Sequence, residues 1–199
     1  MPINKPFFFS QARNTLFGGS LTTKQVDGLN AILAEWETNH SKKDDRFLAY
    51  MLATTHHETD TKMQPIDEYG KGAGRPYGKR LKLAKDSAGK HIPYTNTTQI
   101  FYGRGFVQLT WYENYDKAGK RLQKDFLQNA DGVKVLANAT KIMFLGMMEG
   151  WFTGKKLADY FNAQTEDWKN ARRIINGIDK ADAIKEYALK YYACISYTI

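Results

Sequence analysis

The chain has 199 residues, 42% of them hydrophobic and 25% charged, with a formal net charge of +8 and a sequence pI near 9.4. That length buries one substantial core, and the composition is ordinary for a soluble globular protein. A single cysteine, Cys194, excludes an internal disulfide and reads as a buried, inert thiol. No stretch approaches the ~20 consecutive apolar residues of a membrane span.

The start, Met1 to Ser10, holds only three apolar residues in a row before Gln11 and Arg13. That falls short of the ~7–15 apolar residues of a secretory signal, so the expected location is a cytoplasm. Residues before Leu21 read as an irregular lead-in with a turn at Gly18-Gly19. Thr22-x-x-Gln25 is a capping box opening a helix, and Val26, Leu29, Ile32, Leu33 and Trp36 recur along it at helical spacing. Ser41 to Asp45 is a polar loop in which Asp44 or Asp45 caps the next helix. That helix carries the apolar run Phe47 to Thr55 and ends in His57-Glu58-Thr59.

Residues 64–100 are rich in Gly and Pro and carry little periodicity beyond a short hairpin. They read as a small lobe inserted between helices, since about 35 residues cannot build a core of their own. The signature Phe101-Tyr102-Gly103-Arg104-Gly105-Phe106-Val107-Gln108-Leu109-Thr110-Trp111 follows. Its paired glycines suit a turn or a close backbone approach. Helices are predicted over about 112–122, 133–149, 156–162, 166–176 and 180–195. Met143, Phe144, Met147, Met148 and Trp151 form a core stripe, and the last helix reads as packed on the core. The sequence contains neither repeats nor low-complexity linkers, so a single catalytic domain over 1–199 without a separate wall-binding module is expected.

Two carboxyl groups can divide acid and base work across a glycosidic bond when their surroundings differ. Glu58 closes an apolar segment, where partial desolvation favours the protonated acid. Glu68, in Pro65-Ile66-Asp67-Glu68-Tyr69-Gly70, has solvated surroundings that suit an ionised base. His57-Glu58 begins like the zinc pattern H-E-x-x-H, but position 61 is Thr, so the second imidazole is missing and no metal is expected. His56 or His57 is read instead as a hydrogen-bonded residue of the wall. Tyr69, Tyr77, Tyr102, Trp111 and Tyr112 offer rings for sugar stacking; Gln108, Asn114 and Asn176 offer amides for hydroxyl groups.

His57-Glu58-Thr59, Glu68-Tyr69-Gly70, Tyr102-Gly103-Arg104-Gly105 with Gln108-Leu109-Thr110, and Arg173-Ile174-Ile175-Asn176-Gly177 together resemble glycoside hydrolase family 19. The likeness covers plant-type chitinases and, more closely, bacteriophage endolysins of that family. It implies a lysozyme-like α+β fold, mainly α-helical, in which a small irregular or β lobe (about 64–105) faces a helical lobe across a cleft. It further implies that Glu58 is the general acid and that a second carboxylate activates water for an inverting displacement, which needs carboxyl groups about 6.5–9.5 Å apart. Glu68 is favoured for that role over its neighbour Asp67. Thr110 is assigned to holding the water, with local backbone capping as its alternative. Tyr102, Gln108, Trp111, Asn176 and Arg104 are assigned to substrate, although Arg104 suits an ion pair with a cleft carboxylate better than direct sugar contact.

Between Gly70 and Ile100 seven basic residues (Lys71, Arg75, Lys79, Arg80, Lys82, Lys85, Lys90) face one acid, Asp86. Such a segment attracts polyanions, unless it is a plain solubilising surface. Peptidoglycan carries carboxylates and chitin carries no charge, so the expected activity is that of a muramidase (lysozyme), a phage-type endolysin cutting the β-1,4 glycan strand of peptidoglycan. A chitinase is the enzymatic alternative and a catalytically silent wall-binding protein the non-enzymatic one. Nucleic acid is not expected as a partner, because no recognised helix or finger motif is present. The expectation is completed by a monomer without cofactor or membrane insertion, released from the host cytoplasm through a holin to act on the periplasmic wall.

Overall fold

The computed structural model describes residues 2–198. Its helices are α1 (Lys5–Leu16), α2 (Thr23–Glu35), α3 (Asp45–Glu58), α4 (Tyr112–Leu122), α5 (Leu136–Glu149) and α6 (Ala181–Cys194). The strands are short: β1 (Ile66–Asp67), β2 (Leu81–Lys85), β3 (His91–Pro93) and β4 (Arg104–Gly105). The result is a mainly helical α+β fold. The chain divides into two compact units, residues 1–64 with 143–199, and residues 65–142.

The first unit is built around α3. All residues from Phe47 to His56 are buried, because the helix is apolar on every face. Asp44 caps it, its carboxylate accepting from Arg46 N at 3.0 Å. The α2 capping box forms as the sequence predicts, with Thr22 Oγ1 accepting from Gln25 N and Gln25 Oε1 accepting from Thr22 N. After Glu58 the chain turns sharply through Asp60, Thr61 and Met63, all at positive φ. Thr59 ties that turn down, donating to Thr55 O at 2.7 Å and accepting from Met63 N at 3.0 Å. The turn packs so closely on α2 that a Cβ at Gly28 would lie 1.7 Å from Met63 O. Helix α6 packs along α3 through Ile184, Ala188 and Tyr191, all fully buried. Met143, Phe144 and Met147 are core, Trp151 is buried, and Met148 is half-buried. Cys194 is buried, and burial pushes its thiol up to about 11.

Three expectations are corrected. The lead-in is a helix, α1, capped by Asn4 and seated on α6 by Phe8 and Ala12 alone, so its periodicity is hidden by three successive phenylalanines. The helices expected over 156–162 and 166–176 are single 3₁₀ turns, Leu157–Asp159 and Asn170–Ile174. Asn162 Oδ1, accepting from Gln164 N, turns the chain after the first, and Asp167, accepting from Asn170 N, caps the start of the second. The helix expected from 133 begins at Leu136, after a separate 3₁₀ turn, Ala130–Lys134. The small β lobe expected over about 64–105 holds all four strands, and the compact unit that contains it continues to Ile142.

That second unit pairs β1 with β4 antiparallel, Ile66 opposite Gly105 and Asp67 opposite Arg104. β2 and β3 make a separate hairpin, Leu81 opposite Pro93 and Lys85 opposite His91, with an irregularity between. The unit extends past the signature because α4 and the Ala130–Lys134 turn supply its core. Phe101 stands 4.8 Å from the Tyr115 ring and 5.3 Å from Tyr94, and Phe106, Val107, Leu109, Phe126 and Val133 are buried with them. Among the described residues no helix is long and apolar enough to cross a membrane.

His56 gives the first unit a pH-dependent stability. Its ring is buried between Phe17, Tyr187 and Tyr191, with Nδ1 3.0 Å from the Tyr191 hydroxyl. Burial, reinforced by His57 and Lys190, lowers its pKa from 6.5 to about 4. The unfolded chain therefore binds a proton that the folded one refuses. Stability is full above pH 6.5 and falls between pH 6.5 and 4, by about 3 kcal/mol for this group. Urea melts at pH 7.0 and 4.5 should show a larger loss for the wild-type chain than for His56→Gln; equal losses would contradict the assignment.

Candidate active site

Glu58 and Asn176 lie in the first unit. Glu58 ends α3, half-buried, and its Oε1 accepts a 2.6 Å hydrogen bond from Arg172 Nη1. Arg172 is 4% exposed and its Nε donates to Asp179 O at 3.1 Å, so the guanidinium is fixed from two sides. The surroundings of Glu58 are thus not apolar alone, as the run before it suggests, but include a buried cation. His57 is half-buried, and burial, opposed by Glu58, lowers its pKa so that it is neutral at pH 7. Asn176 is exposed and sits on the same turn as Arg172, its N–H donating to Arg172 O at 3.1 Å. Arg172 is the residue that sequence reasoning misses. It stands one position before the recognised Arg173-to-Gly177 string, and its pairing with Glu58 bridges 114 positions.

Glu68, Tyr102, Arg104, Gln108, Thr110 and Trp111 lie in the second unit. Glu68 extends the β1–β4 ladder, its N–H donating to Gly103 O at 2.7 Å. Each carboxylate oxygen accepts one hydrogen bond: Oε1 from the Tyr77 hydroxyl at 3.0 Å, Oε2 from Gly103 N at 3.2 Å. Burial and then the Glu68 bond raise the Tyr77 pKa, so the phenol remains a donor. Glycine at 103 leaves room for Gln108: a Cβ there would meet Gln108 Oε1 at 2.8 Å and push that amide aside, with Glu68 Cβ at 3.4 Å. Gln108 and Trp111 both hold positive φ, 52° and 73°, in a tight turn closed by Arg104 and Leu109 pairing backbone to backbone. Such conformations cost of order 1–3 kcal/mol each and persist only where the surroundings impose them.

Trp111 is half-buried, its ring edge-on to Tyr77 at 5.6 Å and tilted against His91 at 4.9 Å. Thr110 is half-buried, and its carbonyl accepts from Asn114 Nδ2 at 2.8 Å. Arg104 is not placed for sugar contact. It is 4% exposed, with Nε 3.1 Å from Asp131 Oδ1 and 3.5 Å from Asp67 Oδ1, and Nη1 donating to Ile100 O and the Tyr115 hydroxyl. Its guanidinium lies 3.5 Å above the Tyr102 ring, and Tyr115 in turn donates to Tyr102 O. The ion-pair role is the one realised. Asp67, the alternative second carboxylate, is drawn into this network and held by Lys134 at 2.9 Å, while Glu68 is turned away to Tyr77 and Gly103. No metal-holding cluster of three His, Cys, Asp or Glu occurs among the described residues.

The contrast between buried and exposed members of the network is measurable. Arg104→Met leaves Asp67 and the Tyr115–Tyr102 contact without their buried cation and should cost about 3–5 kcal/mol. Asp131, whose side chain is 66% exposed, should cost under about 1 kcal/mol as Asp131→Asn. Equal losses in chemical denaturation would show that Arg104 does not organise the unit.

The family pattern described as chitinase class I, glycoside hydrolase family 19, matches residues 26–172, which include Glu58, Glu68, the 101–111 signature and Arg172. An acidic endochitinase of Petunia hybrida is 29% identical over 105 residues, 51% of this chain and 40% of that relative, so the chain spans less than half the relative's length. Among solved structures, chitinase C from Streptomyces griseus HUT6037 superposes with a TM-score of 0.61 at 21% identity, covering 95% of this chain and 88% of that one. The class IV chitinase of Zea mays gives 0.58 at 17% identity, covering 94% and 92%. These likenesses carry the fold, and the matched pattern carries the membership: the chain belongs to glycoside hydrolase family 19.

Proposed function

We propose that the chain hydrolyses the β-1,4-linked glycan strand of bacterial peptidoglycan, as a muramidase of the phage-endolysin kind, with Glu58 as general acid and Glu68 as general base. The observation that carries the chemistry is the different hydrogen bonding of the two carboxyl groups. Arg172 occupies Glu58 Oε1 and on its own favours the carboxylate. The acid role therefore requires a proton on Oε2, taken up when bound substrate excludes water, and Oε2 is the oxygen assigned to protonate the leaving group. Glu68 receives one neutral donor on each oxygen. A carboxylate oxygen has two lone-pair sites, so each keeps one for a water whose proton it removes. Thr110 is assigned to hold that water. Tyr102, Gln108, Trp111 and Asn176 are the proposed sugar contacts, and Arg104 supports Tyr102 from beneath. Peptidoglycan is preferred to chitin because the chain carries a net charge of +8 and chitin carries none. Chitin is the second reading, favoured by the names of the similar proteins.

Turbidity loss of permeabilised Gram-negative cells, run beside chitin hydrolysis, tests both. Glu58→Gln and Glu68→Gln should each lose roughly 10²–10⁴-fold while keeping the wild-type circular dichroism. Asp67→Asn should lose far less than Glu68→Gln. Near-normal lysis by folded Glu58→Gln would remove it from the mechanism, the reverse ranking of Asp67 and Glu68 would reassign the base, and cleavage of chitin alone would establish the second reading. Tyr77→Phe should lower kcat about tenfold with little change in KM, since a hydrogen bond to a charged group is worth about 1.5–3 kcal/mol and part of that is regained from water.

A further inference from the structure

The cations of the 70–100 segment gather on and around the β2–β3 hairpin. Lys79, Arg80, Lys85 and Lys90 are all exposed, as are Lys71 and Arg75 on the preceding loop. Lys82 lies partly over the Tyr112 ring, at 5.1 Å. The only acid of the segment is committed to the turn, Asp86 Oδ1 accepting from Ala88 N and Lys90 N at 2.9 Å. Ion pairs of this unit form at Arg104, Lys120 and Lys134. The hairpin is also clamped onto the signature. Glu113, in the first turn of α4, accepts from Leu83 N and Ala84 N at 2.9 and 3.0 Å. His91 Nδ1 faces Lys82 O at 2.8 Å, which makes it the N–H donor, and the same ring packs on Trp111. Trp111 touches Tyr77, and Tyr77 holds Glu68.

We propose that this hairpin is a docking surface for the carboxylates of peptidoglycan, a capture site joined by Glu113 and His91 to the element that presents Glu68. The proposal rests on the wall-polymer reading above and names how that polymer is recognised. The chemistry of the surface selects the occupant. Five of the seven cations are lysines, point charges on flexible stems, spread along an exposed hairpin. Phosphate clusters favour the rigid bidentate fork of arginine, whereas separated lysines match single carboxylates repeated along a flexible strand. The attraction is Coulombic, so it acts at low salt and is screened within a few ångströms near 1 M.

The test is sedimentation of the full-length Glu68→Gln chain with anionic lipid vesicles and with three insoluble polymers: purified Gram-negative sacculi, the same sacculi with their carboxylates amidated, and chitin. A second protein adds Lys79→Gln, Arg80→Gln, Lys85→Gln and Lys90→Gln, leaving Lys82 and its ring contact in place. At 50 mM salt these changes should weaken binding to sacculi about 16-fold, roughly a factor of two for each of the four surface cations. The difference should vanish at 0.5 M salt and on both uncharged polymers. Equal binding of the two proteins to sacculi, or equal weakening on chitin, would overturn the proposal. Weakening confined to anionic lipid vesicles would assign the surface to membranes and overturn it equally. Binding is read without turnover, and the four charge substitutions are placed separately on the chain that keeps Glu68 to measure activity on neutral oligosaccharides, which should stay near wild type. A failed docking surface is therefore distinguishable from a failed glycosidase.

Discussion

Arg104 is the charge around which the second unit is arranged. A guanidinium at 4% exposure is costly unless it is paired, and here Asp131 and Asp67 face Nε, Ile100 O and the Tyr115 hydroxyl accept from Nη1, and the Tyr102 ring lies across its face. The consequences run outward. Asp67 is opposite Arg104 in the β1–β4 pair, so the ion pair and the strand register reinforce one another. With Asp67 turned to the network, the next residue, Glu68, is presented to Tyr77 and Gly103. The lack of a side chain at Gly103 then admits Gln108 beside Glu68.

The first unit solves a related problem with fewer parts. Glu58 ends a helix buried on all faces, where a carboxylate without a partner would be expensive. Arg172 answers it from a short 3₁₀ turn, and that turn also carries the backbone contact of Asn176. In both units, then, a buried arginine fixes a carboxylate. In one the arginine bonds the candidate acid directly; in the other it holds the neighbour of the candidate base and leaves the base to a phenol and an amide.

Local signals were legible in the sequence, and long-range ones were not. The capping box at Thr22 and Gln25, the Asp44 cap, the apolar run of α3 and the periodicity of α6 each lie within a few residues, and each appears where expected. Helix α1 escaped because only Phe8 and Ala12 are buried on it, with Phe7 and Phe9 obscuring the spacing. The extent of the second unit escaped because it depends on Phe101 meeting Tyr115 and on the 3₁₀ turn packing against β4, contacts that no periodicity encodes. Of the site, the glycines and the ion-pair character of Arg104 could be read from the motif. The Arg172–Glu58 pair could not, because neither residue carries any local mark of the other.

The division of labour between Glu58 and Glu68 is the central claim, and the anomeric configuration of the first product reports on it directly. A base that activates water for a single displacement inverts the anomeric centre, whereas a nucleophilic carboxylate retains it. Proton NMR of the reducing end, recorded immediately after cleavage of a β-linked wall glycan and before mutarotation, should show the α-anomer. A retained β-anomer would contradict direct displacement, and an anhydro-sugar end would leave Glu68 without a role.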